Sequence, residues 1–149
     1  MNGRTRAVLA AAACAALCLS IAGGTAVAKK KIRQVGNTIT VQNSAIAKGN
    51  RKLTVNGVVQ SSVAKCERDR SVLLYEVGPG GDFIGGAIGH GVSQGGAQRG
   101  QVTVVGIPAK KIKSDRRFRV EIVSRRIEVK GQPMVCKRGV SVEFAGNLM

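Results

Sequence analysis

Residues 117–123 read Arg-Phe-Arg-Val-Glu-Ile-Val. Charged and apolar side chains alternate through the run, so an extended backbone puts Phe118, Val120 and Ile122 on one side. Arg117, Arg119, Glu121 and Val123 share the other. A helix would scatter the same residues around its axis. Comparable short runs recur at Thr38–Val41, Lys52–Val59, Ser71–Val77, Gln101–Ile107, Arg126–Lys130 and Gly139–Phe144. No stretch after residue 28 sustains an i, i+3, i+4 apolar stripe, which rules out a helical framework. Turn-forming residues interrupt at short intervals, as in Gly78-Pro79-Gly80-Gly81 and Gly131-Gln132-Pro133. About seven short strands in about 100 residues predict an all-β chain, a single β-sandwich or small barrel. The 52–59 run slips phase at Gly57, where a β-bulge is expected.

The first residues belong to something else. A basic start (Arg4, Arg6) leads into an uncharged stretch from Ala7 to Gly23, and Ala26-Val27-Ala28 precedes Lys29-Lys30-Lys31. A basic head, an apolar stretch of about 15 residues and an A-x-A end form the layout of a cleaved secretory signal. The stretch is shorter than the ~20 residues a membrane-spanning helix needs. The expectation is a signal peptide over 1–28, a basic N-terminal arm and first strand over 29–48, and a β-sandwich domain over 49–149. The mature chain is expected to be secreted, extracellular or envelope-associated, with no membrane span. Residues 29–37 read as a mobile arm.

Removing 28 of 149 residues leaves 121, one domain's worth. It also removes Cys14 and Cys18 and leaves Cys66 and Cys136. Two thiols in an oxidising compartment predict one disulfide, closing a loop of 70 residues. Such a bridge stabilises by about 4 kcal/mol on the chain-entropy estimate. A metal site would need more ligands at short spacing, and the chain has one histidine. No cofactor is expected. Cys66 stands just before the 71–77 strand and Cys136 just before the last, so the bridge ties the early part of the domain to its end. Glu67-Arg68-Asp69-Arg70 between them reads as a solvated turn.

The charge is lopsided. The full chain carries 24 basic and 8 acidic residues, and loss of Arg4 and Arg6 leaves a net charge of +14. A field of that size attracts polyanions. Lys110, Lys111 and Lys113, with Arg117, Arg119 and Arg126, are the candidate polyanion-binding residues, and anionic cell-wall polymer or polysaccharide is the partner expected. Specific nucleic-acid reading is not expected: Phe83, Phe118, Phe144 and Tyr75 are the whole aromatic set, and no recognition motif is present.

The segments LTVNGVVQSSVAKCERDRSVLLYEV, RFRVEIV and VCKRGVSVEF together resemble secreted immunoglobulin-like or transthyretin-like β-sandwich modules of soil actinobacteria, some described as carboxypeptidase-regulatory-like. The matching positions are Gly57, Val59, Ser61, Cys66, Arg70, Val72, Leu74, Phe118, Val120 and Cys136, within residues 53–144. The resemblance implies a non-catalytic extracellular module and carries no binding residues across. The chain departs from the pattern at GAIGHGVSQGGAQRGQVTV, where such modules carry a compact Thr-Asp-x-x-Gly-x-Phe turn.

That departing stretch contains Gly91-Val92-Ser93-Gln94-Gly95, which satisfies G-x-S-x-G, with His90 just before it. A nucleophile elbow needs a strand before it, a helix after it and a histidine later in the chain. No histidine and no helical pattern follow Ser93. The expected function is therefore a non-catalytic envelope module, structural or adhesive, with a small secreted serine hydrolase using Ser93 as the alternative.

Overall fold

In the computed structural model, residues 30–47, 49, 51–108, 110–112, 115 to 146 are described; residues 1–28, expected as a signal peptide, and Lys113 lie outside them. They run through eleven strands: β1 (Arg33–Val35), β2 (Asn37–Ile46), β3 (Leu53–Ser61), β4 (Ser71–Val77), β5 (Gly89–Val92), β6 (Gln101–Gly106), β7 (Arg117–Ile122), β8 (Arg125–Val129), β9 (Gln132–Cys136), β10 (Gly139–Val140) and β11 (Phe144–Ala145). Two single-turn 3-10 helices, Ala64–Cys66 and Gly96–Gln98, are the helical elements among the described residues. The all-β expectation holds.

Alternation builds the main sheet. Its order is β10-β7-β4-β5-β6-β3-β2, with β11 also on β7. Phe118, Val120 and Ile122 are buried as expected, and they meet Leu53, Val55, Val72, Leu74, Val102 and Val104 in one core. The two ends of the sheet curl toward each other. The Ser44 hydroxyl on β2 donates to the Ala145 carbonyl on β11 at 3.2 Å. A Cβ added to Gly139 of β10 would lie 2.7 Å from the Asn37 carbonyl of β2. The result is a near-barrel.

A smaller sheet, β1-β9-β8, covers one end of that barrel. β1 runs parallel to β9 and, after Gly36, the chain passes directly into β2, so one extended segment serves both sheets. Val35, Met134, Cys66 and Cys136 form a second core beneath it. The disulfide between Cys66 and Cys136 is formed, with Cα atoms 5.6 Å apart. The other end of the barrel carries the connections β2–β3, β4–β5 and β6–β7, and is called the hairpin end below.

Several details differ from the sequence reading. The segment expected as an arm contributes β1, with Val35 buried. The bulge lies not in β3 but in β2 between Val41 and Asn43, opposite Gly57. Gly57 is needed there, because a Cβ would sit 2.9 Å from the Thr40 carbonyl. The glycine-rich run 78–100, which the sequence leaves open between a mobile loop and a hairpin, holds β5, and Phe83 stacks on Tyr75 with ring centroids 4.3 Å apart. The expected last strand is broken. Ser141 Oγ accepts the Val120 N–H at 3.1 Å, a side chain standing in the ladder, and Val142 is turned out to solvent.

Candidate functional site

Opposite charges find one another first. Glu67 pairs with Arg99 at 2.6 Å, Glu76 with Arg116 at 2.8 Å, Glu143 with Arg119 at 2.7 Å and Glu121 with Arg138 at 2.8 Å. These contacts sort the six expected polyanion-binding residues. Lys110, Lys111 and Arg117 are exposed at the hairpin end, where the Arg116 guanidinium also donates to the Lys110 carbonyl at 3.1 Å. Arg119 is half-buried and matched by Glu143, so its charge is largely cancelled. Arg126 lies on β8 in the small sheet, separated from Arg117 by the length of β7, about 17 Å. Lys113 is outside the described residues. The other five do not share one face.

A denser group of cations joins Arg126 to residues that the sequence did not place beside it. On or beside the small sheet stand Lys30, Lys31, Arg33, Arg125, Arg126 and Lys130, all exposed, with Glu128 the carboxylate on its strands. Lys30 Nζ donates to the Gly131 carbonyl at 2.9 Å, which holds the N-terminal approach against the β8–β9 turn. Next to them a groove is lined by Lys65, Arg68, Arg99, Val63, Gly96 and Val129. Lys65 Nζ donates to the Glu128 carbonyl at 2.7 Å and caps the outer edge of β8. The signal that could have found this group was topological: residues 30–33, 65–68 and 125–130 are distant in sequence, and parallel β1–β9 pairing brings them together.

Behind the basic end sits Arg70, which is fully buried. The charged run Glu67–Arg70 is therefore not a solvated turn throughout. The Arg70 guanidinium donates to three carbonyls: Cys66 at 2.9 Å, Val123 at 2.6 Å and Lys137 at 3.2 Å. Burial, and secondarily the nearby Arg125 cation, hold its pKa below the ordinary arginine value. Arg70 thus clasps the backbone on both sides of the disulfide, at Cys66 and beside Cys136.

Ser93 belongs to the same interior. It is buried, and its Oγ accepts the Arg70 backbone N–H at 2.9 Å. Its own N–H donates to the Arg70 carbonyl at 3.0 Å. His90 is exposed on β5, and an odd spacing of three along an extended chain sends it to the face opposite Ser93. A single-turn 3-10 helix, not a longer one, follows Gly95. Among the described residues no cluster of three or more metal-ligating side chains occurs, and no helix is long and apolar enough to cross a membrane. No protein family matches the chain, and no curated protein is similar to it in sequence.

Proposed function

We propose that the chain is exported, losing its first 28 residues, and that its domain is a non-catalytic module, structural or adhesive at the cell envelope, which holds anionic wall polymer or acidic polysaccharide. The resemblance to secreted immunoglobulin-like or transthyretin-like modules belongs to this same reading. The observation that carries it is the small-sheet end, where Lys30, Lys31, Arg33, Arg125, Arg126 and Lys130 are all exposed, Arg126 on one face of the sheet and Arg33 and Arg125 on the other, with Glu128 the carboxylate on its strands. Cations grouped on one rigid end displace the counterions of a polyanion together, which gives salt-sensitive retention. The disulfide suits an oxidising compartment. The hydrolase alternative has less support, because Ser93 is buried in a structural hydrogen bond and His90 faces away from it.

The test is elution of the mature protein from immobilised acidic wall polymer in a salt gradient. Replacing Arg33, Arg126 and Lys130 by Gln should lower the eluting salt markedly and affinity several-fold. The same change at Lys110, Lys111 and Arg117 should have the smaller effect. These side chains are exposed, so stability should shift by no more than about 0.5 kcal/mol each. Retention that is indifferent to salt, or unchanged by the first triple variant, would reduce the charge to a solubility device.

A further inference from the structure

The cations crowd the two ends of the barrel and leave one flank bare. No residue in β2, β3, β5 or β6, nor from Ser71 to Tyr75 in β4, is Lys, Arg, Asp or Glu, in a chain of which 21% is charged. These five strands are contiguous in the main sheet, in the order β4-β5-β6-β3-β2. Their outward side chains are hydroxyls, amides, single apolar groups, the His90 imidazole and the Tyr75 ring, with Val92 and Val105 among the exposed. On the neighbouring strand β7, Arg119 and Glu121 are matched by opposite charges, and the exposed Arg117 stands at the hairpin end, at the margin of the flank.

A ladder of side chains crosses this flank. The Thr103 hydroxyl on β6 donates to Asn56 Oδ1 on β3 at 2.7 Å, and Asn56 Nδ2 donates to Asn43 Oδ1 on β2 at 2.8 Å. Strand register places the three residues directly beside one another. The ladder runs one way. Its β2 end offers the Asn43 amide N–H groups, and its β6 end offers the Thr103 oxygen as an acceptor. Being already tied together, these side chains have less rotamer freedom to lose on association.

We infer that this uncharged flank is a self-association surface whose occupant is a second copy of the chain. Two bodies of charge +14 repel unless they meet where neither carries cations, and interface centres are depleted of charge in general. A two-fold axis along the strands lays one copy's Asn43 end over the other's Thr103 end, so the ladder is its own complement. Five strands about 4.8 Å apart, most showing three or four outward side chains and β5 two, cover roughly 400–500 Å² in plan. That is below the roughly 800 Å² per partner of a standard interface, so the dimer is reversible, with Kd in roughly the micromolar range or weaker. A neutral glycan fits the flank less well: a sugar stacks on an open carbocyclic aromatic face, and Tyr75, the flank's one such ring beside the His90 imidazole, is covered by Phe83.

Sedimentation equilibrium of the mature, oxidised protein tests this at low and high salt. The dimer should tighten as salt screens the repulsion between copies, the sign opposite to that of polyanion binding, so either reading can fail alone. Thr103→Arg places a cation at the centre of each face and should abolish the dimer while leaving circular dichroism unchanged. Asn56→Ala breaks the ladder without adding charge and should weaken association several-fold. Arg126→Gln should leave it unchanged. A monomer at all salt concentrations up to about 1 mM protein, or a dimer untouched by Thr103→Arg and Asn56→Ala, would overturn the inference. Perturbation of β3 and β6 amide resonances by a soluble neutral glucan, in protein that stays monomeric, would overturn it in favour of a glycan.

Discussion

Replacing Arg70 by methionine removes the buried cation and keeps much of its volume. Three carbonyls lose a charged donor, at 2.6, 2.9 and 3.2 Å, and only the last of them, Lys137, keeps a side-chain donor, the Asn37 amide at 2.6 Å. Bonds from a charged donor are worth about 1.5–3 kcal/mol each, so two short ones and one longer one amount to about 5 kcal/mol. Relief from burying a guanidinium beside Arg125 returns part of that. The sign follows from the lowered pKa: folding disfavours the charged form, and arginine stays charged at neutral pH, so the penalty is present there. The net expectation is a loss of about 3–4 kcal/mol, a large share of a typical domain's 5–15 kcal/mol. Urea titration of the oxidised protein, followed by circular dichroism, measures it. Because Arg70 grips the backbone on both sides of the bridge, its effect should also couple to the paired change Cys66→Ser and Cys136→Ser. The combined variant should lose less than the two separate losses together, by about 1 kcal/mol. A loss below about 1 kcal/mol for Arg70→Met, or strict additivity in the cycle, would refute the view that this side chain organises the joint between the two sheets.

Ser93→Ala should leave any background hydrolysis of a generic ester unchanged, yet destabilise by about 1–3 kcal/mol, since the buried Arg70 N–H loses its acceptor; ester turnover that vanishes in the variant would restore the hydrolase reading. Gly91→Ala should loosen β5 from β6, because the new Cβ would press on the Thr103 carbonyl. Hydrogen exchange at His90 and Val105 should then accelerate, whereas Gly86→Ala, with open space around it, should change neither exchange nor stability.

The parts of the fold visible in the sequence were those in which one strand face is wet and the other dry. β3, β4, β6 and β7 declare themselves by alternation, and the disulfide by counting cysteines. β1 was hidden because three residues, Arg-Gln-Val, are too short to show a period. β5 was hidden because Gly-His-Gly-Val has almost no strand-forming side chains; its glycines are there to let the β6 backbone approach. Arg70 was misread with its charged neighbours, although it shares the parity of buried Val72 and Leu74 and so points inward with them. The uncharged flank was legible in principle, since residues 37–46 and 53–61 contain no charge. Which strands would lie side by side was not.

The bridge from Cys66 to Cys136 has a mechanical consequence for the chain under load. Tension entering before β1 and leaving after β11 is shunted through the two sulfur atoms, so the 70-residue loop between them bears none of it. Only residues 30–66 and 136–146 can then be drawn out, at most about 160 Å of chain instead of about 400 Å for the whole described span, at about 3.4 Å per residue. The first contacts to be loaded join β1 to β9, which run parallel in matched register from Arg33–Met134 to Val35–Cys136. A pull along β1 strains these bonds together, in shear, and the strand that resists it is the one the disulfide holds in place.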